Sequence, residues 1–594
     1  MASFFRRHFL AVVCACVIGL IYGLPNVFFI LSLDGGYRGI PMMQTPNEDS
    51  YLARIQEILD GHPTLGSPYF FEYKEQLPIT PPTGEFLYAL PSLVFGLSAS
   101  AVLILSKFIL PTLLFFLVYL LLLRLTENGG LAQKINAITC GLLVVLGYDL
   151  VDYRTVFSYL SGTNSPTYFL LWARPVNPIL GAIFLMSFLL LVWAIVRETR
   201  RPKSAIVGAG IFLALMFGSY FFSWGVAVSV LAVLLATFLL RKEYKTAGAL
   251  SLILPLGVLF SSPYWYNVWR ASQSPWYESS VLRSGLFYTH YPLLNKFLLA
   301  TLILYTLALA LDYWWKRKKG IIFQLEKWHW FCFALLLGGL WAYSQQILTG
   351  RTLWPYHFVQ YTIPLSMVVF MVLLYNVIRG KNRYVWAGAV CLVATSSLFF
   401  GVYTQVSAYR HARPYVAQLQ NYGSLFEWLN AKEKDCVVFV NEDRPEMVML
   451  NTVIPALSHC NRYASTALTS LMPEERGLNN YFALLRMRGV SSERIEEYLR
   501  ANRSEATGYI YSNWLGLFGV KDFPDFSDPL LEERLAAFPG EYQKFLTKDF
   551  KSELLQYRID YILSAGPLQG KVVSELPFLK SVFEKDGLIL YAFR

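Results

Sequence analysis

The chain has 594 residues, of which 55% are apolar and only 15% are charged, and its mean hydropathy is +0.41. This composition excludes a soluble globular enzyme and is typical of a polytopic membrane protein. The net charge of +11 does not indicate nucleic-acid binding. The Lys and Arg residues cluster in short segments between apolar runs, a pattern that sets membrane topology and favours anionic lipid headgroups.

The first apolar run extends to about residue 31 and follows Arg6, Arg7 and His8. It is long enough to cross a membrane and contains no small-residue cleavage site, so it is predicted to be an uncleaved anchor. Because positive charge favours the cytoplasmic side, the N-terminus is predicted to lie in the cytoplasm and the loop after the anchor outside it.

This first outer loop, residues 32–98, carries two neighbouring carboxylates, Glu48 and Asp49, at the start of an amphipathic helix that ends near Asp60. Carboxylates in this position can serve as a base or as charge stabilisers for chemistry at the membrane surface. The alternative is that Asn47 or Asp49 only caps the helix.

Eleven apolar segments are predicted to cross the membrane. With this number, every dense Lys/Arg cluster between spans falls on the cytoplasmic side, and the longer loops with carboxylates and aromatic residues fall outside. A miscount by one span would break this alternation. After the anchor, the predicted spans cover 99–123, 135–151, 176–196, two segments within 204–240, 247–262, 296–313, 328–344, 357–378 and 385–405.

The last part of the chain, residues 410–594, is more polar and is predicted to be an extracytoplasmic domain separate from the membrane module 1–409. Short apolar runs typical of strands alternate with helical patterns, which favours a small α/β or α+β fold. Cys436 and Cys460 lie in this domain and can form a disulfide if it is extracytoplasmic. The predicted strands are 436–440, 559–565 and 588–593, and one predicted helix is 491–502.

The motifs of soluble nucleotide enzymes, serine hydrolases and zinc proteases are missing: the sequence has no phosphate-binding Gly loop, no GxSxG and no HExxH. Polar candidates lie instead on the predicted outer loops. A carboxylate can deprotonate an acceptor hydroxyl, while Arg and His can hold a phosphate, so these residue types suit group transfer from a lipid phosphate. The candidates for lining a substrate cavity are Tyr51, Asp152, Arg154, Arg270, Arg283, His290 and Gln360.

Two other interpretations of these polar residues stay open. Single Arg residues in the outer loops can be interfacial side chains that snorkel toward the headgroups. Asp149 and Asp152 can be helix caps, or ligands of a divalent ion. No cofactor is predicted to be required, and a divalent metal is left open.

The order of these features resembles the membrane-embedded glycosyltransferases of the C superfamily (GT-C), which includes oligosaccharyltransferases, protein mannosyltransferases and aminoarabinose transferases. The likeness covers the whole chain in architecture: an anchor, an outer loop with the motif NEDSYLARIQEILDG, many spans and an outer domain. In motif it covers residues 44–63 and, loosely, 345–360.

The resemblance implies that an acidic residue of the first outer loop acts as base or positions the acceptor. The match falls on Asp49 with Glu48 as its neighbour. Several relatives have Asp before Glu, so the choice between these two residues stays open. The resemblance further implies a polyprenyl-phosphate sugar as donor, with Arg351 and His357 at its phosphate and Arg174 as the next candidate.

The sequence therefore predicts an inverting glycosyltransferase of the inner or plasma membrane, most compatible with a prokaryote, acting on a glycan, lipid or protein acceptor. The oligosaccharyltransferase motif WWD is absent from the C-terminal part, which disfavours protein N-glycosylation. A transporter or flippase for a lipid-linked saccharide is the main alternative, disfavoured because the spans are nearly free of charge. A ligase or polymerase of surface polysaccharide is a third hypothesis.

Overall fold

The computed structural model describes residues 2–43, 45–126, 130–198, 203–466, 470–511, 529–568 and 570–593. Nineteen helices make up the described part of the membrane module. They are α1 (Ala2–Leu31), α2 (Glu48–Asp60), α3 (Thr83–Phe95), α4 (Ala99–Leu125), α5 (Leu131–Leu146), α6 (Tyr153–Leu160), α7 (Ile179–Arg197), α8 (Lys203–Phe217), α9 (Phe221–Leu240), α10 (Tyr244–Ser251), α11 (Ile253–Phe260), α12 (Ser262–Ala271), α13 (Tyr277–Arg283), α14 (Lys296–Lys318), α15 (Lys327–Ser344), α16 (Gln346–Thr349), α17 (Val359–Leu373), α18 (Arg379–Lys381) and α19 (Arg383–Leu419).

The helices agree with the predicted spans. Among the described residues, eight helices are long and apolar enough to cross a membrane, and a ninth results if the bent pair Tyr244–Phe260 and Ser262–Ala271 counts as one span. The two remaining predicted spans coincide with shorter apolar helices, α5 and α8. Each of the eleven predicted spans thus corresponds to an apolar helix, and the prediction of a polytopic helical membrane protein is confirmed.

Close packing of α1 against α4 is possible because α1 presents small residues to its neighbour. A Cβ added at Gly23 would come within 2.3 Å of the Phe108 ring, and one at Gly19 within 2.8 Å of the Phe108 carbonyl oxygen. Small residues at helix interfaces let backbones approach in a membrane, where apolar burial alone gives little preference for one partner over lipid. The packing of α1 against α4 fixes where the first outer loop starts and where α4 returns.

The C-terminal part contains a five-stranded sheet in the order β4-β3-β5-β7-β6. The pairs β3/β4 and β3/β5 are parallel, while β5/β7 and β6/β7 are antiparallel, so the predicted combination of strands and helices and three predicted strands are confirmed. Outside this sheet, β1 (Leu286–Tyr288) pairs with β2 (Arg351–Leu353). The sheet strands are β3 (Val437–Val440), β4 (Asn461–Arg462), β5 (Tyr561–Ser564), β6 (Lys580–Lys585) and β7 (Leu588–Ala592); the helices are α20 (Gly423–Asn430), α21 (Pro445–Leu457), α22 (Glu474–Met487), α23 (Ile495–Ala501), α24 (Arg503–Tyr511), α25 (Pro529–Leu546), α26 (Phe550–Leu554) and α27 (Lys571–Glu575).

A disulfide joins Cys436 and Cys460 at the start of this sheet, as the sequence allowed. The predicted domain boundary at residue 409 falls inside α19, which runs without a break from the membrane to the outer domain. A continuous helix leaves little freedom for the domain to swing.

The outer domain rests on the first outer loop through hydrogen bonds and buried charges. The Arg462 backbone N–H donates to the Tyr69 carbonyl oxygen at 2.9 Å. The Lys74 ammonium, buried in the loop, pairs with Glu57 at 2.9 Å and with Asp435 of the outer domain at 2.6 Å. The first loop is therefore held between the membrane helices and the outer domain.

Candidate functional site

Helix α2 starts without the cap that the sequence allowed. Asn47 occupies the N-cap position with φ of 59°, and its side chain makes no capping hydrogen bond. Asp49 lies inside the helix. The Glu48 carboxylate instead reaches back, and its Oε2 accepts from the Thr45 backbone N–H at 3.1 Å and from the Thr45 hydroxyl at 2.7 Å. At the other end, Gly61 ends the helix with φ of 109°, which favours glycine.

Glu48 forms an ion pair with Lys107, and both side chains are almost completely buried, with exposures of 1% and 2%. Lys107 lies in the middle of the span α4, and its ammonium also approaches the Met42 carbonyl oxygen at 3.4 Å and the Phe169 ring at 5.7 Å. A buried charge is tolerated in such a place only with a partner. In the sequence, this pair is indicated by a single Lys within an apolar span.

Asp49 points away from Glu48, toward the outer domain. Its carboxylate is half-buried and interacts electrostatically with Arg462, Tyr69 and Tyr415. Within the part of the chain that the structure describes, Asp49 forms no ion pair and no side-chain hydrogen bond. The two neighbouring carboxylates thus differ: Glu48 is paired with Lys107, whereas Asp49 makes no ion pair or side-chain hydrogen bond with any described residue.

A cavity of about 570 Å³ lies beside the start of α2. Its walls come from the first outer loop, from residues 148–174 and from α17 and α19. The polar groups are mainly hydroxyls and amides, together with one cationic and one anionic side chain. The polar lining residues include Thr45, Asp149, Thr155, Ser158, Arg174 and Gln360.

Arg174 supplies the cationic group of this cavity. Its side chain is 7% exposed, and its guanidinium lies 5.4 Å from the centre of the Tyr51 ring. Burial alone would lower the pKa of Arg174, but the hydroxyls of Tyr51 and Tyr220 outweigh it and the pKa rises. Arg174 Nε has no hydrogen-bond acceptor among the described residues. A charged, buried guanidinium with a free N–H is suited to an anionic ligand.

His357 belongs to the same group of side chains. Its Nδ1 lies 3.0 Å from the Tyr220 hydroxyl, its ring stacks on Trp354, and the charge of Arg174 acts on it. Arg351 is separate: it is exposed on β2, with its guanidinium 5.2 Å from the centre of the Tyr288 ring. Of the three predicted phosphate-binding residues, the structure brings Arg174 and His357 together and leaves Arg351 at the β1/β2 pair.

Two of the predicted cavity residues line or approach the cavity, since Gln360 is part of its wall and Tyr51 stacks on Arg174. Asp152 and Arg154 do not. Asp152 is exposed and caps α6, accepting from the Arg154 backbone N–H at 3.1 Å, which agrees with the helix-cap alternative. Arg270 is exposed on α12.

Arg283 and His290 have structural contacts away from the cavity. Arg283 is 4% exposed and donates to the Met472 carbonyl oxygen at 2.6 Å, so it connects α13 to the outer domain. His290 Nδ1 lies 3.0 Å from the Ile347 carbonyl oxygen. Polar residues in an aromatic loop are typical of ligand-binding sites. In the structure, however, Arg283 and His290 contact backbone carbonyl groups of residues that are distant in sequence.

No group of three or more His, Cys, Asp or Glu side chains that could hold a metal ion occurs among the residues that the structure describes. Asp152, one of the two carboxylates considered as metal ligands, is engaged as a helix cap through the Arg154 N–H and the Thr155 hydroxyl.

A scan against protein-family models finds no match, and neither does a search of curated proteins. Solved structures with a similar overall fold include an oligosaccharyltransferase from Archaeoglobus fulgidus in complex with Zn and sulfate (14% identity, 93% of this chain and 68% of that chain, TM-score 0.48). A second is the archaeal oligosaccharyltransferase AglB from the same organism with an inhibitory peptide and a dolichol-phosphate (12% identity, 94% and 70%, TM-score 0.45). A third is ArnT from Cupriavidus metallidurans bound to undecaprenyl phosphate (9% identity, 96% and 98%, TM-score 0.42).

These alignments bear on no individual residue, donor or acceptor. The chemistry of the site therefore has to be argued from its own side chains.

Proposed function

We propose that this protein is a membrane glycosyltransferase that moves a sugar from a polyprenyl-phosphate donor to an acceptor hydroxyl at the outer face of the membrane, with inversion at the anomeric carbon. One observation carries the proposal. A cavity contains a buried guanidinium, Arg174, that has no carboxylate partner among the described residues, and this cavity is bordered by the loop that carries Asp49.

The roles of the side chains follow from their surroundings. Asp49 accepts the proton of the acceptor hydroxyl, whose oxygen then forms a bond to the anomeric carbon of the donor. The bond from that carbon to the phosphate oxygen breaks, and its electron pair leaves with polyprenyl phosphate. Arg174 holds the phosphate and stabilises its added negative charge, with His357 beside it.

The contacts support Asp49 rather than Glu48 as the base. Glu48 is committed to Lys107 and Thr45 and is 1% exposed, so a substrate would have to displace a buried ion pair to reach it. Asp49 is half-buried and makes no ion pair or side-chain hydrogen bond with any residue that the structure describes, so an acceptor hydroxyl can reach it without displacing a buried ion pair.

The proposed orientation has the outer domain and the first loop outside the cytoplasm and the N-terminus inside. The Cys436–Cys460 disulfide supports it, because disulfides persist in oxidising compartments. The contact of Lys74 with Asp435 requires the loop and the outer domain to share one side.

The test is transfer from radiolabelled polyprenyl-phosphate sugars by the purified protein in lipid nanodiscs. We expect Asp49→Asn to lower kcat by about a hundredfold or more while donor affinity and melting temperature stay unchanged, since a general base contributes about 10²- to 10⁴-fold. Transfer at the wild-type rate by Asp49→Asn would refute the assigned base.

The transporter alternative predicts charges inside the spans, and the structure contains two buried ones. Lys107 pairs with Glu48, and Asp312 pairs with Lys316 at 3.0 Å and with Lys381 at 3.2 Å. Because both are already paired within the protein, they favour transport only weakly. Saturable binding of a lipid-linked saccharide without turnover of any donor would support the transporter instead.

A further inference from the structure

The cavity contains a carboxylate to which the proposed transfer reaction gives no role. Asp149 follows α5 in a short helical turn, Tyr148–Val151, and lines the cavity together with Arg174. Its carboxylate makes no ion pair and no side-chain hydrogen bond with any residue that the structure describes. Asp149 and Arg174 are thus opposite charges in one cavity, and no ion pair joins them.

Other side chains in the same cavity wall either lack a hydrogen-bond partner or carry a hydroxyl group. Gln360 Oε1 is buried without a hydrogen-bond donor among the described residues. Thr155 and Ser158 line the wall with Asp149. Buried polar groups are normally satisfied within the protein, so two unsatisfied atoms at one cavity, Gln360 Oε1 and Arg174 Nε, indicate a polar ligand that completes them.

We propose that Asp149 is a specificity-determining residue that accepts hydrogen bonds from hydroxyl groups of the donor sugar and excludes donor sugars that carry a carboxylate. The inference rests on the proposed function, in which the donor phosphate binds Arg174. With the phosphate held there, the sugar occupies the rest of the cavity, which contains Asp149 and Gln360.

The physical basis of this selection is the fixed negative charge of Asp149. A carboxylate accepts two hydrogen bonds from neighbouring sugar hydroxyls, and hydrogen bonds to a charged group are the strong ones. A uronic acid brings a second negative charge into the same partly enclosed space, where like charges repel strongly. Neutral sugars are therefore favoured over the corresponding uronic acids.

The experiment measures binding, without need of turnover, to the purified protein in nanodiscs. Matched pairs of polyprenyl-phosphate sugars are compared that differ only at C6: glucose with glucuronic acid, mannose with mannuronic acid and galactose with galacturonic acid. Polyprenyl phosphate without a sugar is the reference ligand. The variants are Asp149→Asn, which removes the charge, and Asp149→Glu, which retains it.

We expect the wild type to bind at least one neutral-sugar lipid tenfold or more tightly than its uronic acid partner. Asp149→Asn should weaken binding of that neutral lipid about tenfold to a hundredfold and reduce the discrimination, but it should not weaken binding of polyprenyl phosphate, whose own negative charge Asp149 repels. Asp149→Glu should retain the discrimination. The matched control is Asp34→Asn, because Asp34 is exposed and has φ of 44°, a conformation that asparagine adopts readily.

The inference is overturned if the wild type binds both members of every pair equally, if it binds none of these lipids, or if Asp149→Asn weakens binding of polyprenyl phosphate as much as that of the sugar lipids. Failure of the proposed function has a different signature. If the predicted discrimination in binding is found but no sugar is transferred, the specificity inference stands and the transferase proposal falls.

Discussion

Replacing Lys107 by Met removes the counter-ion of Glu48 and leaves a carboxylate with 1% exposure inside the protein. Methionine has a similar length and volume, so the change is mainly one of charge. Removing one partner of a buried ion pair costs about 3–5 kcal/mol, because the remaining charge is neither paired nor hydrated. The Thr45 N–H and hydroxyl still donate to Glu48 and offset a part of this cost.

The double variant Glu48→Gln with Lys107→Met separates pairing from packing. It leaves no charge at the site, and the glutamine side chain can still accept from Thr45. We expect it to lose about 1–2 kcal/mol, less than Lys107→Met alone, since neutral replacements of buried pairs are well tolerated. Glu48→Gln alone should likewise cost about 3–5 kcal/mol, so the coupling energy from the full double-mutant cycle should be at least about 4 kcal/mol in favour of the pair.

The assay is the free energy of unfolding in mixed micelles titrated with a denaturing detergent. Lys316→Met is the matched control: its side chain is 31% exposed, and its partner Asp312 keeps the second ion pair with Lys381. We expect this control to lose less than about 1 kcal/mol. If the double variant is as unstable as the sum of its single variants, Lys107 and Glu48 do not stabilise each other and the reasoning is wrong.

Three further outcomes are expected. Arg174→Gln should weaken binding of polyprenyl phosphate by about tenfold to a hundredfold, because it removes a charged donor from the cavity. The control is Arg500→Gln, since Arg500 is exposed on α23, and it should bind as wild type does. Binding by Arg174→Gln that equals wild type would contradict the phosphate site. Burial raises the pKa of Glu57 to about 7 against an ordinary value of 4.5, and the carboxylates of Glu75 and Asp435 raise that of His62 despite its burial. Both groups bind protons more tightly when folded, so their contribution to stability is present at low pH; that of Glu57 is lost as the pH rises to about 7, and that of His62 is lost as the pH rises above the ordinary histidine value of 6.5. The melting temperature should fall from pH 5 to pH 8, Glu57→Gln should flatten this profile, and an unchanged slope in that variant would exclude Glu57 as the titrating group. Cys436→Ser opens a disulfide of sequence separation 24 and should cost the outer domain about 3 kcal/mol, measured by limited proteolysis of the full chain; unchanged proteolysis would mean that the disulfide adds no stability.

The sequence predicted those features that depend on neighbouring residues. Apolar length marked an apolar helix at each of the eleven predicted spans, and strand patterns marked β3, β5 and β7, because both signals are contained within a few consecutive residues. The outer domain was recognised from its change in composition. Helix α2 was recognised from its periodicity and from Gly61, and Asn47 occupies the N-cap position without making the side-chain capping hydrogen bond.

The site was predicted less well because its partners are distant in sequence. Glu48 and Lys107 are 59 residues apart, and only their helices' packing shows that one charge neutralises the other. Arg283 and Arg174 look alike as single Arg residues in outer loops, yet one donates to a carbonyl of the outer domain and the other faces a cavity. The sequence shows only the residue type, whereas the role of each Arg depends on its burial and its contacts in the folded protein.

The contacts between the first outer loop and the outer domain also have a consequence for biosynthesis. His62 and Asp60 are completed by Asp435 and His459, which lie 373 and 399 residues further along the chain. At a translation rate of about 5–20 residues per second, the loop waits roughly 20–80 s for these partners after it has emerged. During that time Glu57 and Lys74 have only each other and water, so a chain that stops before the outer domain exposes charged groups that the finished protein buries. Completion of the last domain is thus the step that closes the first loop, and truncated chains are expected to be early targets of membrane proteases.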